Sequence, residues 1–145
     1  MEIKIIKPSD LYHLRNVVLR PEHPIESTYY DKDYDKETIH LGVFKNEYLV
    51  CIGTFYPEQL LGIYAHRPYR LRGMATSLKN RRKGYASHLM KKSFELLKLK
   101  GADFIWCKAR IVAIPFYQSL DFNIIGERYD IPEIGMHYNM YKILT

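Results

Sequence analysis

A strand-like segment, "RGMAT", passes through a basic turn, "RRKG", into the main amphipathic helix of the chain, and this succession constrains the fold more than any other feature. Ala86, Leu89, Met90, Phe94 and Leu97 form one apolar stripe at helical spacing, while His88, Lys91, Lys92, Glu95 and Lys98 face outward. Gly101 is placed to close the helix. The helix pattern opens with Arg81, Arg82 and Lys83, the wrong charge for a terminus whose backbone is already partly positive and carries unpaired N–H groups. The misfit disappears if the turn faces a polyanion. N–H groups and cations then converge on phosphate oxygens, and Gly84 and Ala86 leave room for close approach. The alternative is a solvated basic helix end, at a cost of roughly a few tenths of a kcal/mol.

The rest of the chain reads as one domain of mixed α and β. "MEIKIIK" alternates as a first strand, Pro8-Ser9-Asp10 provides a stop and a cap, and Leu11, Leu14, Val17 and Val18 follow at helical spacing. Pro21 to Lys36 is polar and without period, a long surface loop whose acidic "DKDYDKE" portion could face a cationic group. "TIHLGVF" and "EYLVCIGTFY" form a hairpin about Lys45-Asn46-Glu47. After an irregular stretch from Pro57 to Pro68, "YRLRGMAT" is the strand that feeds the helix, and "DFIWCKA" is a short buried strand. "VAIPFYQSL" is a brief helix expected to begin near Val112 or Ala113, so that Pro115 falls in its first turn. "FNIIGERY" and "MHYNMYKIL" are two further strands.

Composition narrows the function classes. With 145 residues and 47% hydrophobic content, the chain suits a single soluble domain. It lacks a bilayer-spanning apolar run and a signal-peptide pattern, so no membrane partner and a cytoplasmic location are expected. Cys51 and Cys107 lie in apolar runs and read as buried thiols. No CxxC, HExxH or acidic cluster has metal-ligand spacing, so no metal is expected. The net charge of +6 suits an anionic partner without naming it.

"RRKGYA", between a strand and a long amphipathic helix, resembles the Q/R-x-x-G-x-G/A signature of the Gcn5-related N-acetyltransferase (GNAT) superfamily. "ARIVAIPFYQSLDFNIIGE" resembles the superfamily's second signature, N-x-x-A-x-x-x-Y-x-x-x-G-F, with Ala113, Tyr117 and Phe122 on the pattern. The order of elements agrees over nearly the whole chain. "LRGMAT", "WCKAR", "FYQSLDF" and "IGMHYNM" together resemble a bacterial subgroup of these acetyltransferases, a likeness that supplies no acceptor. Arg110 stands where the second signature has Asn, and Asp121 where it has Gly; Asp can adopt the left-handed conformation at some cost.

The resemblance implies an α+β fold of three α/β/α layers. Its mixed, mostly antiparallel sheet has about six to seven strands, and its fourth and fifth strands splay apart. It also implies transfer of an acetyl group from acetyl-coenzyme A to a primary amine by direct attack in a ternary complex. Carried over by position, the cofactor contacts are Met74, Ala75 and Thr76 on the fourth strand, Arg81, Arg82, Lys83, Gly84, Tyr85, Ala86 and Ser87 at the turn, and Arg110. Backbone N–H near Met74–Thr76 is the implied oxyanion donor. Tyr117 falls on the position that protonates the departing thiolate; the competing reading is a core tyrosine beside Phe116.

The superfamily's usual acidic residue on the fourth strand is missing, with Arg70 and Arg72 in that region. His40, His66, His137 and Glu58 are therefore the candidates for the general base, together with a water chain. Arg72 and His137 are the candidate acceptor-side residues. Arg72 and Arg110 could hold a carboxylate between them, or could pair with acids of the protein itself. Two rival functions remain: a non-catalytic acyl-coenzyme A sensor, and a nucleic-acid module suggested by "KNRRKGY". Glu95 interrupts the basic stripe of the latter, so no nucleic-acid partner is expected. The acceptor is a small-molecule or peptide amine, and an exposed, apolar C-terminal strand would suit a homodimer.

Overall fold

The hairpin at Asn46 and Glu47 shows how local sequence sets the framework. Both residues take positive φ, 50° and 70°, joining β2 (Ile39–Lys45) to β3 (Tyr48–Pro57) through the tight turn that the twist of paired strands favours. The computed structural model describes all residues, Met1–Thr145. With β1 (Glu2–Ile5), β4 (Pro68–Thr76), β5 (Phe104–Arg110), β6 (Asn123–Ile131) and β7 (Gly135–Ile143), these strands form a seven-stranded sheet in the order β1-β2-β3-β4-β5-β7-β6. Only β4 and β5 are parallel.

One sheet face is covered by α2 (Tyr85–Leu99) and α3 (Ile114–Ser119). Leu89, Met90 and Leu97 of α2 are fully buried against Leu41, Val43, Phe55, Leu71, Ile105 and Met140. Burial of each such side chain contributes about 1.5–3 kcal/mol. The opposite face carries α1 (Tyr12–Leu14), which widens into π-helical turns over Arg15–Leu19. Leu11 and Leu14 close a second, smaller core on Ile52 and Ala75. This gives the three expected layers, but α1 reaches only the β1–β4 half of its face.

Several expectations hold in detail. Gly101 ends α2 with φ 82°, Asp121 takes φ 68°, and Pro115 lies in the first turn of α3 after a 3₁₀ turn at Ile111–Ala113. Others need correction. α2 begins at Tyr85, so Arg81, Arg82 and Lys83 stand in the turn before the helix and not within it. The C-terminal strand is no edge: β7 is inserted between β5 and β6 and pairs on both sides, which leaves β6 exposed and removes the argument for pairing through β7. Within the long loop, Asp33 is buried on Arg15 and cannot meet an external cation.

Candidate active site

β4 holds the centre of the site because it is paired unequally. It pairs with β3 along its length but with β5 only through Pro68↔Phe104, Tyr69↔Ile105 and Arg70↔Trp106. Beyond Arg70 the two strands part, and the β5-facing edge of Leu71–Thr76 has no strand partner. The register gives one cause. Ile52 faces Ala75 while Thr54 faces Arg72, so β4 carries an extra residue there, a bulge containing Gly73 at φ 70°. A Cβ on Gly73 would be strained at φ 70° and would lie 3.1 Å from the Tyr30 ring and 3.2 Å from Arg15 Nε, tight enough that these side chains would have to shift.

Met74, Ala75 and Thr76 follow the bulge. Met74 packs on the main core, Ala75 is buried under α1, and the Thr76 hydroxyl donates to Cys51 Sγ at 3.2 Å. The chain then turns through Leu78–Asn80 to the start of α2. Arg82 adopts φ 61° and Gly84 φ 84°, so the backbone coils left-handedly just before the helix. The N–H groups of Gly84, Tyr85, Ala86 and Ser87 donate to nothing within the protein. Arg81, Arg82 and Lys83 are exposed beside them, and none forms an ion pair. Unpaired donors, the helix dipole and free cations together fit the diphosphate of a coenzyme A derivative. The open edge of β4 fits a pantetheine arm that pairs with backbone groups.

Tyr117 is buried beside the start of the splay. Its ring packs against Phe116 and Phe122, and its hydroxyl faces the thiol of Cys107, the first β5 residue beyond the last paired position. Burial, reinforced by the neighbouring Cys107 and Cys51, pushes the phenol well above its ordinary value. Burial also pushes Cys107 up to about 12 and Cys51 up to about 11. Tyr117 is therefore a core residue by placement, with its hydroxyl turned to the β5 thiol beside the point where β4 and β5 part.

On the other face of the sheet, β4, β5 and β7 present a polar surface. Arg70, Arg72, Lys108 and Arg110 alternate with buried Tyr69, Leu71, Cys107 and Ala109 and so share this face. Lys108 pairs in register with Asn139, and Arg110 with His137. Arg110 Nη2 reaches the Leu19 carbonyl at 3.5 Å and lines a cavity of about 200 Å³ with Arg20, His23 and Glu133. Arg110 thus lies on the face opposite α2, away from the turn that opens that helix; strand alternation fixes its direction whatever residue the signature carries there. Nor does it share a partner with Arg72, whose guanidinium stacks on Tyr30 at 3.9 Å.

The base candidates separate clearly. His40 is buried, with Nε2–H donating to the Asp33 carbonyl (2.8 Å) and Nδ1 accepting from the Thr54 hydroxyl (2.9 Å). Burial holds it below its ordinary value of 6.5, so it is a neutral structural group. His66 lies outside the splay, on a loop whose N–H groups are held by Asp103. The Glu58 carboxylate is committed to Arg70 at 3.1 Å. His137 alone shares the face of Lys108 and Arg110, buried opposite Arg110 and stacked on Tyr129. Its Nδ1–H donates to the Gly135 carbonyl at 2.8 Å, which leaves Nε2 as the acceptor in the neutral ring.

Sequence reasoning missed Arg15 and Lys108. Arg15 is fully buried, bidentate to Asp33 (2.7 and 2.9 Å), and bonded to the Thr28 carbonyl and Thr54 hydroxyl. Its signal was its place one residue after Leu14, inside an apolar helical pattern. Lys108 was legible as a cation within a buried strand, two residues from Trp106 on the same face.

Residues 9–122 match the family model described as the Acetyltransferase (GNAT) family. The chain is 38% identical over 144 residues to a Bacillus subtilis protein described as an uncharacterized N-acetyltransferase, YitI, covering 99% of this chain and 97% of that one. The chain belongs to the GNAT acetyltransferase family. It is an enzyme of that family, whose acetyl donor is acetyl-coenzyme A. Solved GNAT structures share the fold. An aminoglycoside 6'-N-acetyltransferase complexed with coenzyme A aligns with TM-score 0.75 at 14% identity, over 100% of this chain and 98% of that one. The ribosomal-protein-S18-alanine N-acetyltransferase of Escherichia coli aligns with TM-score 0.75 at 17% identity, over 99% and 94%. No helix of the chain is long and apolar enough to cross a membrane.

Proposed function

We propose that this GNAT protein is an N-acetyltransferase that passes the acetyl group to a primary amine by direct attack within a ternary complex, with Tyr117 as the proton donor. When bound, acetyl-coenzyme A supplies an activated thioester whose thiol leaves as the amine attacks. Gly84, Tyr85, Ala86 and Ser87 would hold its diphosphate through their N–H groups, with Arg81, Arg82 and Lys83 adding charge. The unpaired edge from Met74 to Thr76 would hold its arm, and N–H groups at the Gly73 bulge would stabilise the developing oxyanion. His137 Nε2 would accept the proton of the attacking amine.

The observation that carries this reading is the Tyr117 hydroxyl facing Cys107, the first β5 residue beyond the last β4–β5 pair. Its raised pKa keeps the proton on Oη at neutral pH, so it can serve as an acid and not as a base. An ordinary phenol near 10 is a weak acid for a thiolate whose ordinary pKa is near 8.5. Burial raises both partners: it lifts the phenol, and the same surroundings raise the Cys107 thiol to about 12. They would raise a departing thiolate in the same direction, so that thiolate becomes a stronger base than it is in water. Tyr117→Phe keeps the ring packing and removes only the proton. Thiol release with a reacting amine should fall by about 10²-fold or more, with the Michaelis constant for acetyl-coenzyme A nearly unchanged. An unaltered kcat would reduce Tyr117 to a core residue. A protein that binds acetyl-coenzyme A but releases no thiol with any amine would be a sensor.

A further inference from the structure

Two arginines clasp the same tyrosine. The Arg15 guanidinium carbon stands 3.8 Å from the centre of the Tyr30 ring, and that of Arg72 stands 3.9 Å from it. Arg15 is buried and fully charge-balanced by Asp33. Arg72 is exposed, and its side chain has neither a carboxylate partner nor a hydrogen bond within the chain. Tyr30 is itself anchored, since its backbone N–H donates to Asp33 Oδ2 at 3.0 Å. Stacking therefore fixes the plane of Arg72 while leaving its donor edge free.

The position of that edge matters. Arg70↔Trp106 is the last pair of β4 with β5, and two residues further along each strand stand Arg72 and Lys108, on the same face. They flank the opening on the side away from α2. Lys108 likewise has no carboxylate partner; burial, then Arg70 and Arg72, hold its ammonium below its ordinary value, against the pull of Glu58. Arg70 is neutralised by Glu58. Two unpaired cations thus border the place where the acceptor amine must meet the acetyl group.

We propose that Arg72 and Lys108 select an acceptor amine that also carries a carboxylate, an amino acid or short peptide with a free acid end. This rests on the acetyl-transfer reading above. A polycationic amine would be repelled from the site, whereas a carboxylate would find a fixed guanidinium fork and an ammonium. The same positive field disfavours the ammonium form of the bound amine, which favours the neutral nucleophile where no acidic residue of β4 is available.

The test compares amino acids and dipeptides with their C-terminal amides, and with polyamines and an aminoglycoside, by thiol release from acetyl-coenzyme A. The acids should exceed the amides in kcat/KM at least tenfold, although amidation by itself leaves a more readily deprotonated amine. Arg72→Gln/Lys108→Gln should abolish that preference, with calorimetric affinity for acetyl-coenzyme A unchanged. N-acetyl amino acids, titrated calorimetrically without cofactor, should bind the unsubstituted protein and lose binding at least tenfold in the variant. Equal turnover of acids and amides, preference for polyamines, no turnover of any acid, or product binding indifferent to both substitutions would overturn the proposal. Failure of acetyl-coenzyme A itself to bind would contradict the acetyl-transfer reading instead.

Discussion

The two halves of one sheet face handle charge in opposite ways. Over β2–β4, Arg15 is buried with its charge balanced by Asp33 and tied to Thr54, and through Thr54 and the Asp33 carbonyl to His40. Over β4–β7 no helix covers the face, and Arg72 and Lys108 stand without acidic partners. Tyr30 lies at the boundary, stacked on Arg15 to one side and Arg72 to the other. The difference separates a cation used to fix a loop from one left available to a ligand. A buried pair is costly to break and holds structure, while an unpaired exposed guanidinium adds little stability and can be held in place for binding.

That contrast can be broken at several points. The largest effect should come from Arg15→Met, which strands the Asp33 carboxylate. Chemical denaturation should show a loss of about 3–5 kcal/mol, whereas Arg72→Gln should change stability by less than about 1 kcal/mol. Equal losses would erase the distinction. Gly73→Ala should cost about 1–3 kcal/mol, because a side chain at φ 70° is strained and would press on Tyr30 and Arg15. It should also raise the Michaelis constants, and a variant as stable and active as the parent would show that the bulge is incidental.

A smaller change is expected at the turn before α2. Arg81→Ala/Lys83→Ala should raise the Michaelis constant for acetyl-coenzyme A about tenfold and leave kcat and melting temperature alone, since both side chains are exposed. The smallest effect is on pH dependence. His40 is held below 6.5 in the folded chain, so the unfolded chain takes up the proton first as pH falls. The stability it confers is whole above pH 6.5 and is lost as pH drops from there towards its folded value. Asp33 acts in the same sense at lower pH: burial raises its carboxyl, but the bonds from Arg15 and the Tyr30 N–H prevail and hold it below 3.8. Its contribution fades as pH falls below that range. Between pH 8 and 5 the melting temperature should fall more steeply for the parent than for His40→Gln, and parallel slopes would contradict the assignment.

Much of the framework was legible in the sequence because it is local. The Asn46–Glu47 turn, the α2 stripe, the Gly101 stop and the late start forced by Pro115 each depend on residues a few positions apart. The basic, glycine-containing turn before α2 was legible for the same reason, although its cations lie before the helix. What sequence could not give depends on pairing across long separations. Arg15 and Asp33 meet across 18 residues, and the insertion of β7 between β5 and β6 is invisible in either strand alone. The direction of Arg110 follows from strand alternation once β5 is placed, and the signature position did not reveal it.

One ligand should occupy both the N–H groups at the start of α2 and the unpaired edge of β4. The most direct measurement follows backbone amide resonances by NMR while acetyl-coenzyme A is titrated into the protein. The largest changes should fall on Gly84, Tyr85, Ala86 and Ser87 and on Met74 to Thr76, saturating together with a single affinity. Saturable shifts confined to other surfaces, or no shifts at all, would contradict it.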